Sequence, residues 1–187
     1  MSKKVAIVSD TNCGITLDEA TKLGVYLITM PFFVDGEEYF EYKTMNHDMF
    51  FEKLRAGAEV STSMPSPADL FDTWENLLNE YDEIVYIPMS SGLSGSCHAA
   101  IGFAEEFDGK VQVVDNKRIS VIMKQSVLEA KYMADKGMTA AEIKEYLEND
   151  SLNAAVYVAV DTLEYLKKSG RVTPAAAAIG SVVSIKP

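Results

Sequence analysis

Along the chain, short unbroken apolar runs alternate with longer stretches whose apolar residues fall at helical spacing. Val5 to Val8 is an apolar, β-branched run, as expected for a strand buried on both faces. Thr16-Leu-Asp-Glu19 matches a capping box and predicts a helix from Leu17 to Leu23, stopped at Gly24. Val25 to Met30 reads as a second strand. Phe32 to Val34 and Glu37 to Tyr42 flank Asp35-Gly36, a pair suited to a type I′ turn, and predict a hairpin. Asp48 to Arg55 is a short amphipathic helix, and Ser61-Thr-Ser-Met-Pro-Ser66 is a hydroxyl-rich loop. Ser66-Pro67, with Asp69 three positions after the serine, starts a helix expected to reach about Tyr81.

Glu83 to Met89 is another buried strand, and it runs into Ser90-Ser-Gly-Leu-Ser-Gly-Ser96. A helix from near Gly95 to Phe107, a strand from Val111 to Val114 and a long helix from Ile119 to Lys136 follow. Thr139-Ala-Ala-Glu142 is a second capping box. This alternation over residues 4–150 predicts a three-layer α/β domain with a mainly parallel sheet and helices on both faces. After Asn149-Asp150 the pattern changes. Ala154 to Val160 reads as a strand, Leu163 to Lys168 as a short helix stopped by Gly170, and the rest as an apolar tail of small residues. The expected organisation is therefore an N-terminal domain over residues 1–150 and, over 151–187, the incomplete beginning of a second α/β domain with a more antiparallel sheet.

Composition adds exclusions. With 187 residues, 48% hydrophobic and 24% charged, the chain is globular and long enough for one domain or one and a part. The two cysteines, Cys13 and Cys97, form no CxxC pattern, which argues against a disulfide scaffold or a zinc knuckle and fits a reducing compartment. A net charge of -11, from 28 acids against 17 bases, is unsuited to nucleic acid or anionic membrane as main partner. No apolar run approaches the ~20 residues that span a bilayer. The start is too short for a signal peptide and reads as a first strand. The expectation is a soluble, acidic, cytoplasmic protein.

Candidate chemistry is sparse. There is no GxxxxGK[ST] and no GxGxxG. His47 sits in a polar stretch at a helix start, and His98 falls in the first turns of the helix after the serine loop; both read as capping, packing or surface residues. No cluster with metal-ligand spacing stands out. Gly92-Leu-Ser94-Gly95 occupies the strand-to-helix position of a GxSxG nucleophile elbow, but its last place is Ser96, and the only later histidine is His98 on the same helix. A serine acyl hydrolase is the weaker reading. The same corner presents free backbone N–H groups at a helix N-terminus, which attracts an anion. The Thr62 to Ser66 loop offers further hydroxyls before another helix. Two such corners facing each other form a polar clamp for a carboxylate or a phosphate. The plain alternative is that Ser66 and Ser94 only cap helices and Thr62 only turns the chain.

Five segments, in order, resemble the DegV family: Val8-Ser-Asp-Thr11; Thr62-Ser-Met-Pro-Ser-Pro67; Ser90-Ser-Gly-Leu-Ser-Gly-Ser96; Val114-Asp115; and Asp161-Thr-Leu-Glu-Tyr-Leu-Lys-Lys-Ser-Gly-Arg171. The chain departs from the family's usual Gln at Met64 and from its frequent Thr at Ser96. The resemblance implies a carrier without turnover of its own and without a cofactor, holding a long-chain fatty acid such as palmitate or oleate. It implies that Thr62 and Ser94 hold the carboxylate, that Arg171 lies near the head group, and that the tail fills an apolar tunnel. It also implies a possible partner, an ATP-using fatty acid kinase subunit that receives the presented acid. The apolar stretch Ala175 to Val183 is a candidate tunnel wall or plain core. Family members run well beyond Ser-Ile-Lys-Pro187, so the chain is expected to be truncated. Asp10 and Thr11 are expected to be structural.

Overall fold

The computed structural model describes residues 3–157, 159 and 162–173. The chain divides into two compact units, Met1–Ala155 and Val156–Pro187.

In the first unit, four strands form a parallel sheet: β1 (Val5–Asp10), β2 (Tyr26–Ile28), β6 (Glu83–Ile87) and β7 (Val111–Val113), in the order β2-β1-β6-β7. The two central strands are buried along their whole length, so their sequences are continuous apolar runs. Successive residues serve opposite faces. Val5, Ile7, Val85 and Ile87 pack against α1 (Leu17–Leu23), α5 (Ser120–Asp135) and α6 (Ala140–Asn149). Ala6, Val8, Ile84 and Tyr86 pack against α3 (Pro67–Leu78) and α4 (Ser96–Ala104). The result is the three-layer α/β arrangement.

Helix boundaries follow local chemistry. Thr16 accepts from Glu19 N at the start of α1, and Gly24, at φ 67°, ends it in the left-handed region that favours glycine. Ser66 accepts from Asp69 N, with Pro67 in the first turn of α3. Both halves of the Thr139–Glu142 capping box form at α6. Helix α3 ends at Leu78 rather than near Tyr81, and the helix after the serine loop gives way to a 3₁₀ turn over Glu105–Phe107.

A second, antiparallel sheet has the order β4-β3-β5, with β3 (Pro31–Val34), β4 (Glu37–Phe40) and β5 (Val60–Thr62). Asp35 and Gly36 have φ of 52° and 84°, as a type I′ turn requires. Helix α2 (His47–Arg55) intervenes before β5 returns to pair with β3. Ser61 and Thr62, read from sequence as loop, are therefore strand residues. Their pairing comes from β3, far away in sequence, and no local pattern marks it. Ala154 to Val160 differs in the other direction. Residues 154–157 and 159 show no strand, while Val158 and Val160 lie outside the described residues. The expected stretch Ala175 to Val183 also lies outside them. Helix α7 (Glu164–Lys168) is present, and Gly170 follows at φ 74°.

Trp74 anchors the α3–α4 face. Its ring meets Phe107 at 5.4 Å and Tyr86 at 5.7 Å between centroids. Its Nε1 has no hydrogen-bond partner among the described residues. Trp74→Ala is expected to cost about 3–5 kcal/mol, and Trp74→Phe distinctly less because no hydrogen bond is lost. Urea unfolding of both variants checks the difference.

Candidate functional site

In this sheet the chain passes from β1 to β2 on one side and from β6 to β7 on the other. The switch point lies between the C-terminal ends of β1 and β6, where open α/β sheets form a ligand crevice. Hydrogen bonds join those two ends. Ser9 Oγ donates to Ile87 O at 2.8 Å. Asp10 Oδ2 accepts from Met89 N at 2.8 Å, and Oδ1 accepts from Asn12 N at 2.9 Å and Asn12 Nδ2 at 2.8 Å. Asp10 is fully buried, and that burial pushes its carboxyl up against the opposing pull of its donors.

The serine loop leaves this bridge as a tight turn. Ser90 O accepts from Leu93 N at 3.0 Å and Ser94 N at 3.2 Å, and Ser90 Oγ accepts from Gly92 N at 3.2 Å. Ser94 Oγ then accepts from Ser96 N at 3.2 Å, just ahead of α4, whose N-cap position is Gly95. A hydroxyl that accepts one bond keeps its own proton to give. The Ser94 O–H donates to no acceptor among the described residues. Gly95 supplies no side-chain cap to α4, and the amides of Cys97 and His98 in its first turn have no intrahelical acceptor. Ser96 Oγ is buried without a partner among the described residues. The Cys97 thiol beneath is pushed up to about 12, chiefly by burial, which leaves it an inert packing group.

Thr62 reaches the same edge by another route. Met30 N donates to Thr11 Oγ1 at 3.3 Å, tying the start of β3 to the end of β1. Ser63 N donates to Pro31 O at 3.2 Å, and Thr62 stands opposite Phe32 in the pairing of β5 with β3. Thr62 is exposed, and its hydroxyl makes no hydrogen bond among the described residues. Thr62, the last residue of β5, and Ser94, in the loop after β6, thus both lie towards the C-terminal edge of the parallel sheet, with unused hydroxyl donors among the described residues and no direct bond between them. Arg171 belongs to the second unit. It is exposed, and its Nη1 donates to Ser169 O at 2.9 Å.

Residues outside the three named positions also shape the site. Asp115 Oδ1 accepts from Ser91 N at 3.2 Å, and Lys117 Nζ donates to Ser91 Oγ at 2.6 Å and also pairs with Asp115. Burial pushes the Asp115 carboxyl up, but hydrogen bonds from Lys117 and Ser91 outweigh it and hold it below the usual range. Asp115 was visible as a motif residue; Lys117 carries no sequence signal for this contact. His47 bonds Glu41 at 2.9 Å and His98 is exposed on α4. Among the described residues, no group of three or more His, Cys, Asp or Glu is placed to hold a metal, and no helix is long and apolar enough to cross a membrane.

With this geometry in place, the comparisons are decisive for the family. The family model described as "Uncharacterised protein, DegV family" matches residues 4–187. The chain belongs to the DegV family. A DegV domain-containing protein of Deinococcus radiodurans is 32% identical over 184 residues, covering 98% of this chain and 66% of the relative. The chain therefore spans just under two thirds of that relative's length. A fatty-acid-binding DegV family protein from Thermus thermophilus superposes with a TM-score of 0.85 at 31% identity, over 95% of this chain and 64% of that one. One from Streptococcus agalactiae, also fatty-acid binding, superposes with a TM-score of 0.87 at 27% identity, over 100% of this chain and 67% of that one. These DegV structures share the present chain's combination of a parallel and an antiparallel sheet.

An asparagine at position 10 would set an NH₂ group against at least one of the three donors that Asp10 now accepts. Asp10→Asn is expected to cost about 1–3 kcal/mol, measured by urea unfolding at neutral pH. Unchanged stability would show that the bridge between β1 and β6 does not depend on the carboxylate.

Proposed function

We propose that this DegV chain binds a long-chain fatty acid, such as palmitate or oleate. Its carboxylate is held by the hydroxyls of Thr62 and Ser94, and its tail lies in an apolar tunnel. The observation that carries this reading is the end of β5 and the serine loop at one sheet edge, each with an unused hydroxyl donor among the described residues. The family's fatty-acid-binding structures supply the ligand class. Neutral donors and helix amides suit a singly charged head group. In a chain of net charge -11 they give no long-range attraction, so affinity comes from the tail, at about 0.8 kcal/mol per buried methylene.

Residues 151–187 are assigned to the opening of that lipid-tunnel domain. Arg171, exposed beyond the helix-stopping Gly170, is assigned to the presentation of the acid to an ATP-using fatty acid kinase subunit. The chain acts as a carrier with no catalytic residue of its own and no cofactor, in the cytoplasm.

Thr62→Ala and Ser94→Ala each remove one hydrogen bond to a charged group, worth about 1.5–3 kcal/mol. Each is expected to weaken palmitate binding, read by displacement of a fluorescent fatty acid. Ser94→Ala also loses the hydrogen bond from Ser96 N, so its melting temperature should fall slightly, while Thr62→Ala should melt as the parent does. Unchanged affinity in both variants would overturn the clamp.

A further inference from the structure

The turn after β7 makes contacts that the fold alone does not require. Arg118 O accepts from Ser90 N at 2.9 Å. Asp115 accepts from Ser91 N, and Lys117 donates to Ser91 Oγ. Three consecutive groups of the serine loop's first half are thus held from one neighbouring turn. That turn is in an unfavourable backbone conformation, since Lys117 has φ 60° and Ser120 has φ 56°, both in the left-handed region and neither glycine. Something must hold it there.

The holding group is the Arg118 side chain, which is 3% exposed. Its Nη1 donates to Ser126 Oγ at 2.8 Å, and its Nη2 donates to Asp150 O at 2.7 Å and to Asp150 Oδ2 at 2.6 Å. Ser126 Oγ also accepts from Asn116 Nδ2 at 2.8 Å, and itself donates to Ile122 O at 3.2 Å. One buried guanidinium therefore locks the turn to α5 and to the end of α6. The planar fork makes this possible, and a lysine at 118 could not reproduce it.

We propose that Arg118 is a positioning residue. Acting through its own carbonyl and the 115–118 turn, it sets the height and orientation of the serine loop, so that Ser94 meets a carboxylate. This role rests on the fatty-acid reading above. A purely structural Arg118 would stabilise the fold without affecting which head group is preferred. Asp150 is partly accessible, and hydrogen bonds from Asn153 first and then from the Arg118 guanidinium hold its carboxyl below the usual range.

The test uses the full chain with Arg118→Lys and the milder Ser126→Ala, which keeps a good helix former in α5. Amide hydrogen exchange by NMR should speed up at least tenfold at Ser90, Ser91, Leu93 and Ser94, with Ile7 and Val85 unchanged. Binding of palmitate and of hexadecanol is then compared. The parent should prefer the acid, and both variants should narrow that preference at least threefold while hexadecanol affinity stays constant. Unchanged exchange in the serine loop overturns the brace. Equal weakening of acid and alcohol reduces Arg118 to a structural residue and overturns the role. A parent chain that takes up neither probe overturns the fatty-acid reading itself, whatever the exchange rates.

Discussion

The site depends on a buried carboxylate with three donors. Asp10 ends β1, and by accepting from Met89 N it fixes where the chain leaves β6. Without that bond the two central strands would still pair, but the serine loop would lose one of the two anchors at its start. Burial opposes the charge on Asp10, and its hydrogen bonds support it. An unpaired buried carboxylate is expensive, and such a group is retained where it organises something. Here it organises the chain at the switch point of the sheet. Thr11, the next residue, does the same for the antiparallel sheet by accepting from Met30 N. Two adjacent residues thus tether both segments that carry the proposed head-group donors, the antiparallel sheet and the serine loop.

The serine loop is held from two sides. The Asp10 bridge holds Met89 just before it, and the turn after β7 holds its first half through Arg118 O and Asp115. What remains uncommitted is a small set of neutral donors. That is a modest electrostatic device, and it suits an acidic protein. It can orient a carboxylate but cannot draw one from solution. In the proposed complex, orientation comes from these donors and affinity from apolar surface. Ordering the tail and losing its translational freedom oppose binding, so a short-chain acid would gain little from the same donors.

Much of this was legible in the chain. The continuous apolar runs of Val5–Val8 and Glu83–Met89 are what strands buried on both faces require, and both proved central. Capping chemistry located the starts of α1, α3 and α6 because those bonds lie within three residues. Asp35-Gly36 predicted its turn for the same local reason. Strand β5 escaped because Ser61 and Thr62 have no apolar alternation and are strand only by pairing with β3. The brace escaped entirely. Arg118 reads as one charged residue in a loop, and its burial is set by Ser126 and Asp150, which only the fold brings near. Thr62 and Ser94 were visible as hydroxyls before helices. Their arrival at one sheet edge depends on the tether from Met30 N to Thr11.

The central claim is that this chain holds one fatty acid by its carboxylate. Native mass spectrometry of the delipidated chain, mixed with a small excess of palmitate, tests it most directly. The account predicts one added mass of a single palmitate per chain, lost when hexadecane replaces the acid. A folded chain that gains no mass with palmitate, or that gains hexadecane equally well, would contradict it.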